Sequence, residues 1–206
     1  MSKILPNVKI HCKLSDLKTV LDGLAVENTR EGGSLKHKIN LLAVGMSGHS
    51  FGAKTTQSVS GEQVLLSDSR IPVIKAAIPM SPSPSLLVSP KKSFGSVEIP
   101  WLCMTGTKDG SPAFLSQTTP EDRRKVFDAL PATGSMFELV LWEADHLAFT
   151  DSDRRRNKTN PSHHRSILAT STAFWDAFLH NDPAAADWLK TRTKEVLEAK
   201  DAWMMK

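Results

Sequence analysis

Apolar positions recur along this chain at two spacings. From residue 16 to 25 they fall at helical intervals, with Leu17, Val20, Leu21 and Leu24 on one side and Ser15 or Asp16 available as cap. A polar, Gly-rich stretch from Asn28 to Ser34 follows. Then come four short apolar runs of strand length: Ile39 to Val44, Val73 to Ile78 (ended by Pro79), Ile99 to Met104 and Phe137 to Trp142. Between them lie a small-residue segment running to about Ser60 before Gly61, a Pro/Ser-rich stretch from Met80 to Ser93, and a helix capped by Thr119. That helix has Pro120, Glu121 and Asp122 in its first turn and Val126, Phe127 and Leu130 as its apolar face.

The remainder reads as helical. One helix carries Ile167, Ser171, Phe174, Trp175 and Phe178 on its buried face. A second starts at Asp182-Pro183 and carries Ala186, Leu189 and Val196. Near-continuous apolar strands alternating with helices predict an α/β fold: one domain over 1–206, with a mainly parallel sheet of about four strands and flanking helices. Ahead of these elements, Val8, Ile10, Cys12 and Leu14 alternate, as in one further strand.

Composition narrows the picture only a little. An apolar fraction of 40% and a charged fraction of 23% are those of an ordinary globular chain. The net charge of +4 comes from bases mostly interleaved with acids, and no aromatic–basic stripe suggests nucleic-acid binding. Met1 to Pro6 has no signal-like apolar region, and no run approaches the roughly eighteen apolar residues that a membrane span needs, so a cytoplasmic location is expected. Cys12 and Cys103 have no metal-ligand spacing, and Cys103 reads as a buried thiol. His163 and His164 point in different directions on a helix and read as solvated. No metal or cofactor is implied.

The chemistry sits at the strand ends. Gly48-His49-Ser50-Phe51-Gly52 is a G-x-S-x-G between an apolar run and a small-residue helix. The glycines allow close strand–helix packing, Ser50 projects at the head of the helix, and the Phe51 N–H is placed to hold an oxyanion. Two blander readings compete: a Gly-rich turn with an inert serine, and a dinucleotide phosphate cradle. The cradle needs an acid at the end of the next strand, where Pro79-Met80-Ser81 offers none.

Partners for a nucleophilic serine follow in the order this arrangement requires. Asp109 comes just past the third apolar run and His146 just past the fourth. Imidazole can take the serine proton while a carboxylate fixes its tautomer. Asp109 also reads as a turn aspartate before Gly110, and His146 as an exposed loop histidine. Asp145 reads as a surface or turn residue, and His49 as packing near the turn rather than acting as the base. Leu86, Leu87, Val88 and Phe94 read either as an acyl-site lining or as a packed loop, and Arg154 to Lys158 as a solvated charge run or a contact to an anionic head group.

On these blocks the chain resembles acetylhydrolases of the α/β-hydrolase superfamily, similar to platelet-activating-factor acetylhydrolases and dienelactone hydrolases. The likeness is carried by Gly45 to Ala53, Ile78 to Pro82, Pro100 to Asp109, Ala144 to Phe149 and Thr172 to Leu179. It implies a serine esterase acting on a small carboxylic ester through an acyl-serine intermediate, with Ser50, Asp109 and His146 as triad. It also implies several strands before the nucleophile strand, where this sequence supplies at most one. The expectation is therefore a partial, N-terminally truncated α/β-hydrolase fold with an open sheet edge along Ile39 to Val44. Such an edge would recruit the Val8 to Leu14 strand, a second copy in a homodimer, or a missing N-terminal half. The alternative is a catalytically impaired fragment or interaction module that retains the triad residues.

Overall fold

The computed structural model describes residues 6–64, 69–111, 118–150 and 160–206, with side chains from residue 15 onward. Its elements in chain order are α1 (Pro6–Thr29), β1 (Val44–His49), α2 (Phe51–Val59), β2 (Ile74–Met80), α3 (Pro90–Phe94), β3 (Trp101–Lys108), α4 (Pro120–Ala129), β4 (Met136–Asp145), α5 (Pro161–Leu179), α6 (Pro183–Thr191) and β5 (Ala202–Met205). The strands form one sheet in the order β1-β2-β3-β4-β5, the first four parallel and β5 antiparallel to β4. This is an α/β architecture, with five strands rather than about four.

Alternation along the strands sends side chains to two helical layers. Leu102, Met104, Phe137, Leu139 and Leu141 meet Phe174 of α5 and Leu189 of α6 on one face. Trp101, Cys103 and Met136 meet Phe94 of α3 and Val126, Phe127 and Leu130 around α4 on the other. A smaller cluster of Val59, Ile71 and Ile74 joins Leu17 and Leu21 of α1 to Met46 of β1. Cys103 is a buried free thiol. No helix of the described residues is long and apolar enough to cross a membrane.

Several boundaries differ from the sequence expectation. Ile39 to Val44 is not the first strand: only Val44 belongs to β1. The Asn40 side chain accepts from the Leu42 N–H at 3.0 Å, and this turn diverts the apolar run before it can pair. β1 instead runs through Gly45 and Gly48 to His49. Val8 to Leu14 is not a strand either but part of α1, which starts with Pro6 at its first position and meets no Gly or Pro until Gly23.

β2 continues through Pro79 to Met80, and the proline leaves its mark on the ladder. The Ala77 and Ser81 amides donate across to Pro100 and Met104 of the β3 segment, while Pro79 between them has no N–H to give. At the C-terminus the helical reading gives way to β5, whose Trp203 stacks on Phe137 with ring centroids 5.5 Å apart. Val196 lies in a short 3-10 turn, Thr193–Val196, beyond α6. Among the described residues β1 is hydrogen-bonded to β2 alone, so the sheet edge runs along Val44–His49 rather than along Ile39 to Val44.

Candidate active site

Ser50 stands between β1 and α2 with φ 57° and ψ −112°, a conformation that side-chain-bearing residues rarely adopt. The turn is held because its N–H donates to the Met80 carbonyl of β2 at 3.0 Å. Gly48 makes the turn possible: a Cβ there would stand 2.5 Å from the backbone carbonyl of Gly52. Gly45 is needed for a different reason, since a Cβ would meet the Trp175 ring of α5 at 2.7 Å. Gly52 itself has open space where a side chain would go, so the packing argument from the sequence applies to Gly48 and not to Gly52. Gly52 instead lines a groove of about 280 Å³ together with Leu17, Val20, Met46, Ser47 and Thr55.

Asp109 lies just past β3 and His146 opens a 3-10 turn, His146–Phe149, just past β4. The two strands close on each other there, with Gly106 so near Ala144 that a Cβ would lie 2.2 Å from its carbonyl oxygen. The Asp145 carboxylate accepts from the Leu147 N–H at 2.9 Å, which fixes the turn and matches the turn role expected of it.

The three loops bring the predicted residues together. His146 Nε2 is 2.8 Å from Ser50 Oγ, and His146 Nδ1 is 2.7 Å from Asp109 Oδ1. Asp109 is fully buried, and its other oxygen accepts from the Thr105 hydroxyl at 2.9 Å. Burial would raise the Asp109 carboxyl. The His146 hydrogen bond, the Arg123 charge and the Thr105 hydroxyl outweigh it and hold the group below its ordinary value. With Asp109 ionised, Nδ1 carries the ring proton and Nε2 is left to accept from Ser50.

His49 packs its ring 4.6 Å from that of His146 and 5.9 Å from Phe149. Burial first, and then the neighbouring His146, lower its affinity for a proton. His49 Nε2 is buried with no hydrogen-bond partner among the described residues. Phe51 is the first residue of α2, and first-turn amides point out of a helix toward its N-terminal end, where Ser50 sits.

One residue escaped the sequence reading. Arg123 of α4 is 2% exposed, and its Nε contacts both the Asp109 carbonyl oxygen at 2.7 Å and Oδ1 at 3.0 Å. A signal for it existed: Arg123 precedes Val126 and Phe127 by three and four residues, which puts it on the apolar face of its helix. His163 likewise is buried rather than solvated, with Nε2 2.9 Å from the Trp142 carbonyl oxygen.

Of the residues read as an acyl-site lining or a packed loop, Val88 is half-buried and the others divide between core and surface. Phe94 lies in the core against Trp101, and Leu86 and Leu87 are 97% and 79% exposed. The first residues of the Met80 to Phe94 stretch are pinned: the Gln57 amide donates to the Ser83 carbonyl and accepts from the Ser83 N–H, at 2.8 and 3.1 Å. Arg154 to Lys158 lie outside the described residues. Among the described residues no group of His, Cys, Asp or Glu is placed to hold a metal ion. No known family model matches the chain, and no curated protein matches it.

Proposed function

We propose that this chain is a serine hydrolase of small carboxylic esters, an acetylhydrolase-like esterase of the α/β-hydrolase kind. The observation that carries this reading is the unbroken hydrogen-bonded series from Asp109 through His146 to Ser50, 2.7 Å and 2.8 Å long at its two links. A surface serine has no use for a buried, ionised carboxylate two steps behind it, and a nucleophile does.

In the proposed cycle Ser50 Oγ attacks the ester carbonyl while His146 Nε2 takes the hydroxyl proton. The Phe51 N–H stabilises the oxyanion of the tetrahedral intermediate. His146 then hands its proton to the leaving alcohol, giving acyl-Ser50. A water molecule, deprotonated by the same nitrogen, attacks the acyl carbon; the bond to Ser50 Oγ then breaks, Oγ takes the proton back from His146, and the carboxylic acid is released. Asp109 stays ionised throughout and steadies the imidazolium.

Turnover of p-nitrophenyl acetate and covalent labelling by a fluorophosphonate probe test the reading together. Ser50→Ala abolishes both, and Asp109→Asn keeps the fold while lowering turnover by about 10⁴-fold, because the ring then takes the wrong tautomer. Labelling at another serine, or turnover undiminished in Ser50→Ala, overturns the assignment. No turnover and no label in the parent chain would leave the interaction-module reading in its place.

A further inference from the structure

Arg123 is heavily engaged among the described residues, and the esterase cycle has no step for it. Its guanidinium reaches three strand-end loops at once. After β2, Nη1 donates to the Ser81 and Pro82 carbonyls at 2.8 and 3.2 Å and to the Ser83 hydroxyl at 3.1 Å. After β3, Nε donates to the Asp109 carbonyl and stands 3.0 Å from carboxylate Oδ1 as an ion pair, and Nη2 donates to the Ser111 hydroxyl at 3.2 Å. After β4, Nη2 stands 3.2 Å from His146 Nδ1.

We propose that Arg123 is the positioning residue of this site: its planar fork aims the Asp109 carboxylate at His146 Nδ1 and so selects the ring tautomer that can accept the Ser50 proton. The proposal rests on the esterase reading for its consequence in turnover, though not for the tautomer itself.

The selection follows from donor and acceptor counting. Guanidinium only donates, so Nη2 and an Nδ1–H cannot bond to each other. Two arrangements therefore compete. In one, Nδ1 keeps its proton and gives it to Asp109 Oδ1. In the other, Nδ1 accepts from Arg123, the ring proton moves to Nε2, and the ring can no longer take a proton from Ser50. The carboxylate wins at 2.7 Å against 3.2 Å for the guanidinium, but only while its oxygen stays aimed at the ring.

Arg123 holds that aim from behind. Nε fixes the Asp109 main chain by a hydrogen bond and attracts Oδ1 as an ion pair, while the Thr105 hydroxyl occupies Oδ2. Because the same fork grips the carbonyls of Ser81, whose buried backbone has φ 55°, it cannot swing toward His146 without releasing the loop after β2. A lysine could supply the charge but not several directed bonds in one plane.

Three measurements on the full chain test this: thermal midpoint, kcat and KM on p-nitrophenyl acetate, and the tautomer of His146 read from ring ¹⁵N shifts. The His146 signal is identified by its loss in His146→Gln. In the parent the Nδ1-protonated form is expected. In Arg123→Met the guanidinium no longer competes for Nδ1, but the Asp109 carboxylate loses its fixed aim and Nδ1–H its steady acceptor. The tautomer mixture of an unconstrained imidazole therefore appears and kcat falls by up to about 10²-fold, with KM nearly unchanged because Arg123 is too deep to touch substrate. Arg123→Lys recovers the midpoint more fully than kcat, and should Arg123→Met fail to fold it carries the test alone. An unchanged tautomer, with kcat falling only in step with the folded fraction, overturns the proposal. If the parent shows no Ser50-dependent turnover, the esterase reading fails while the tautomer comparison still decides the role of Arg123.

Discussion

A Cβ on Gly48 would stand 2.5 Å from the Gly52 carbonyl, while a Cβ on Gly52 would meet nothing within 4 Å. The two glycines of the G-x-S-x-G pattern are therefore not equivalent. Gly48 sets how closely strand and helix approach beneath Ser50. Gly52, in the first turn of α2, occupies open space beside the groove.

Gly48→Ala is expected to destabilise the chain by about 3 kcal/mol, since the obstructing atoms are backbone and cannot rotate away. Gly52→Ala is expected to be neutral or to stabilise by about 0.5 kcal/mol through helix propensity. Denaturant unfolding of both variants checks the contrast. Equal losses would mean that Gly52 packs in a way its surroundings do not indicate.

Ser50 carries backbone strain that its function would require and its stability does not. Non-glycine residues at positive φ cost of order 1–3 kcal/mol, and Ser50 has φ 57° with no side-chain cap bond to offset it. Ser50→Gly and Ser50→Ala both lose the hydroxyl and its contact with His146, so their difference isolates the strain. Ser50→Gly should unfold about 1 kcal/mol later than Ser50→Ala. A Ser50→Ala variant at least as stable as Ser50→Gly would show the turn to be unstrained.

The parallel sheet and the convergence of Ser50, His146 and Asp109 were legible in the sequence because each rests on a local signal. Trp101 to Met104 is apolar without interruption and Phe137 to Leu141 is broken only by Glu138, a near-continuous pattern that suits strands covered on both faces. Asp109 and His146 follow those strands directly. Boundaries were less legible where a side chain competes with the ladder: Asn40 turns the chain before β1, and the glycines that then form β1 read as loop. β5 is four residues long and has no period to read, being held in place by the Phe137–Trp203 contact across the sheet. Arg123 was hidden because an arginine beside a second arginine looks like a solvated face. Only the spacing to Val126 and Phe127 separates it from Arg124.

The last prediction concerns a buried carboxyl group on β4. Glu138 of β4 is 1% exposed. Its Oε2 meets Arg124 Nε at 3.1 Å, and Oε1 has no hydrogen-bond partner among the described residues. Burial, offset only in part by Arg124, pushes the group up to about 7 from 4.5, with Asp128 and Lys206 also near it. The folded chain thus holds this proton more tightly than the unfolded chain does. Stability from this group is fully present below pH 4.5, declines as pH rises, and is lost by about pH 7. Glu62 shares this sign, its carboxyl raised by burial, whereas His49, lowered by burial, works in the opposite direction. Asp109 also opposes it, in a window below 3.8. Comparing Glu138→Gln with the parent cancels these shared terms. The variant should gain stability relative to the parent as pH rises from 5 to 8, by up to about 3 kcal/mol at the upper end. Two parallel curves of unfolding free energy against pH would mean that Glu138 ionises inside the fold at no cost, and that Arg124 compensates its burial in full.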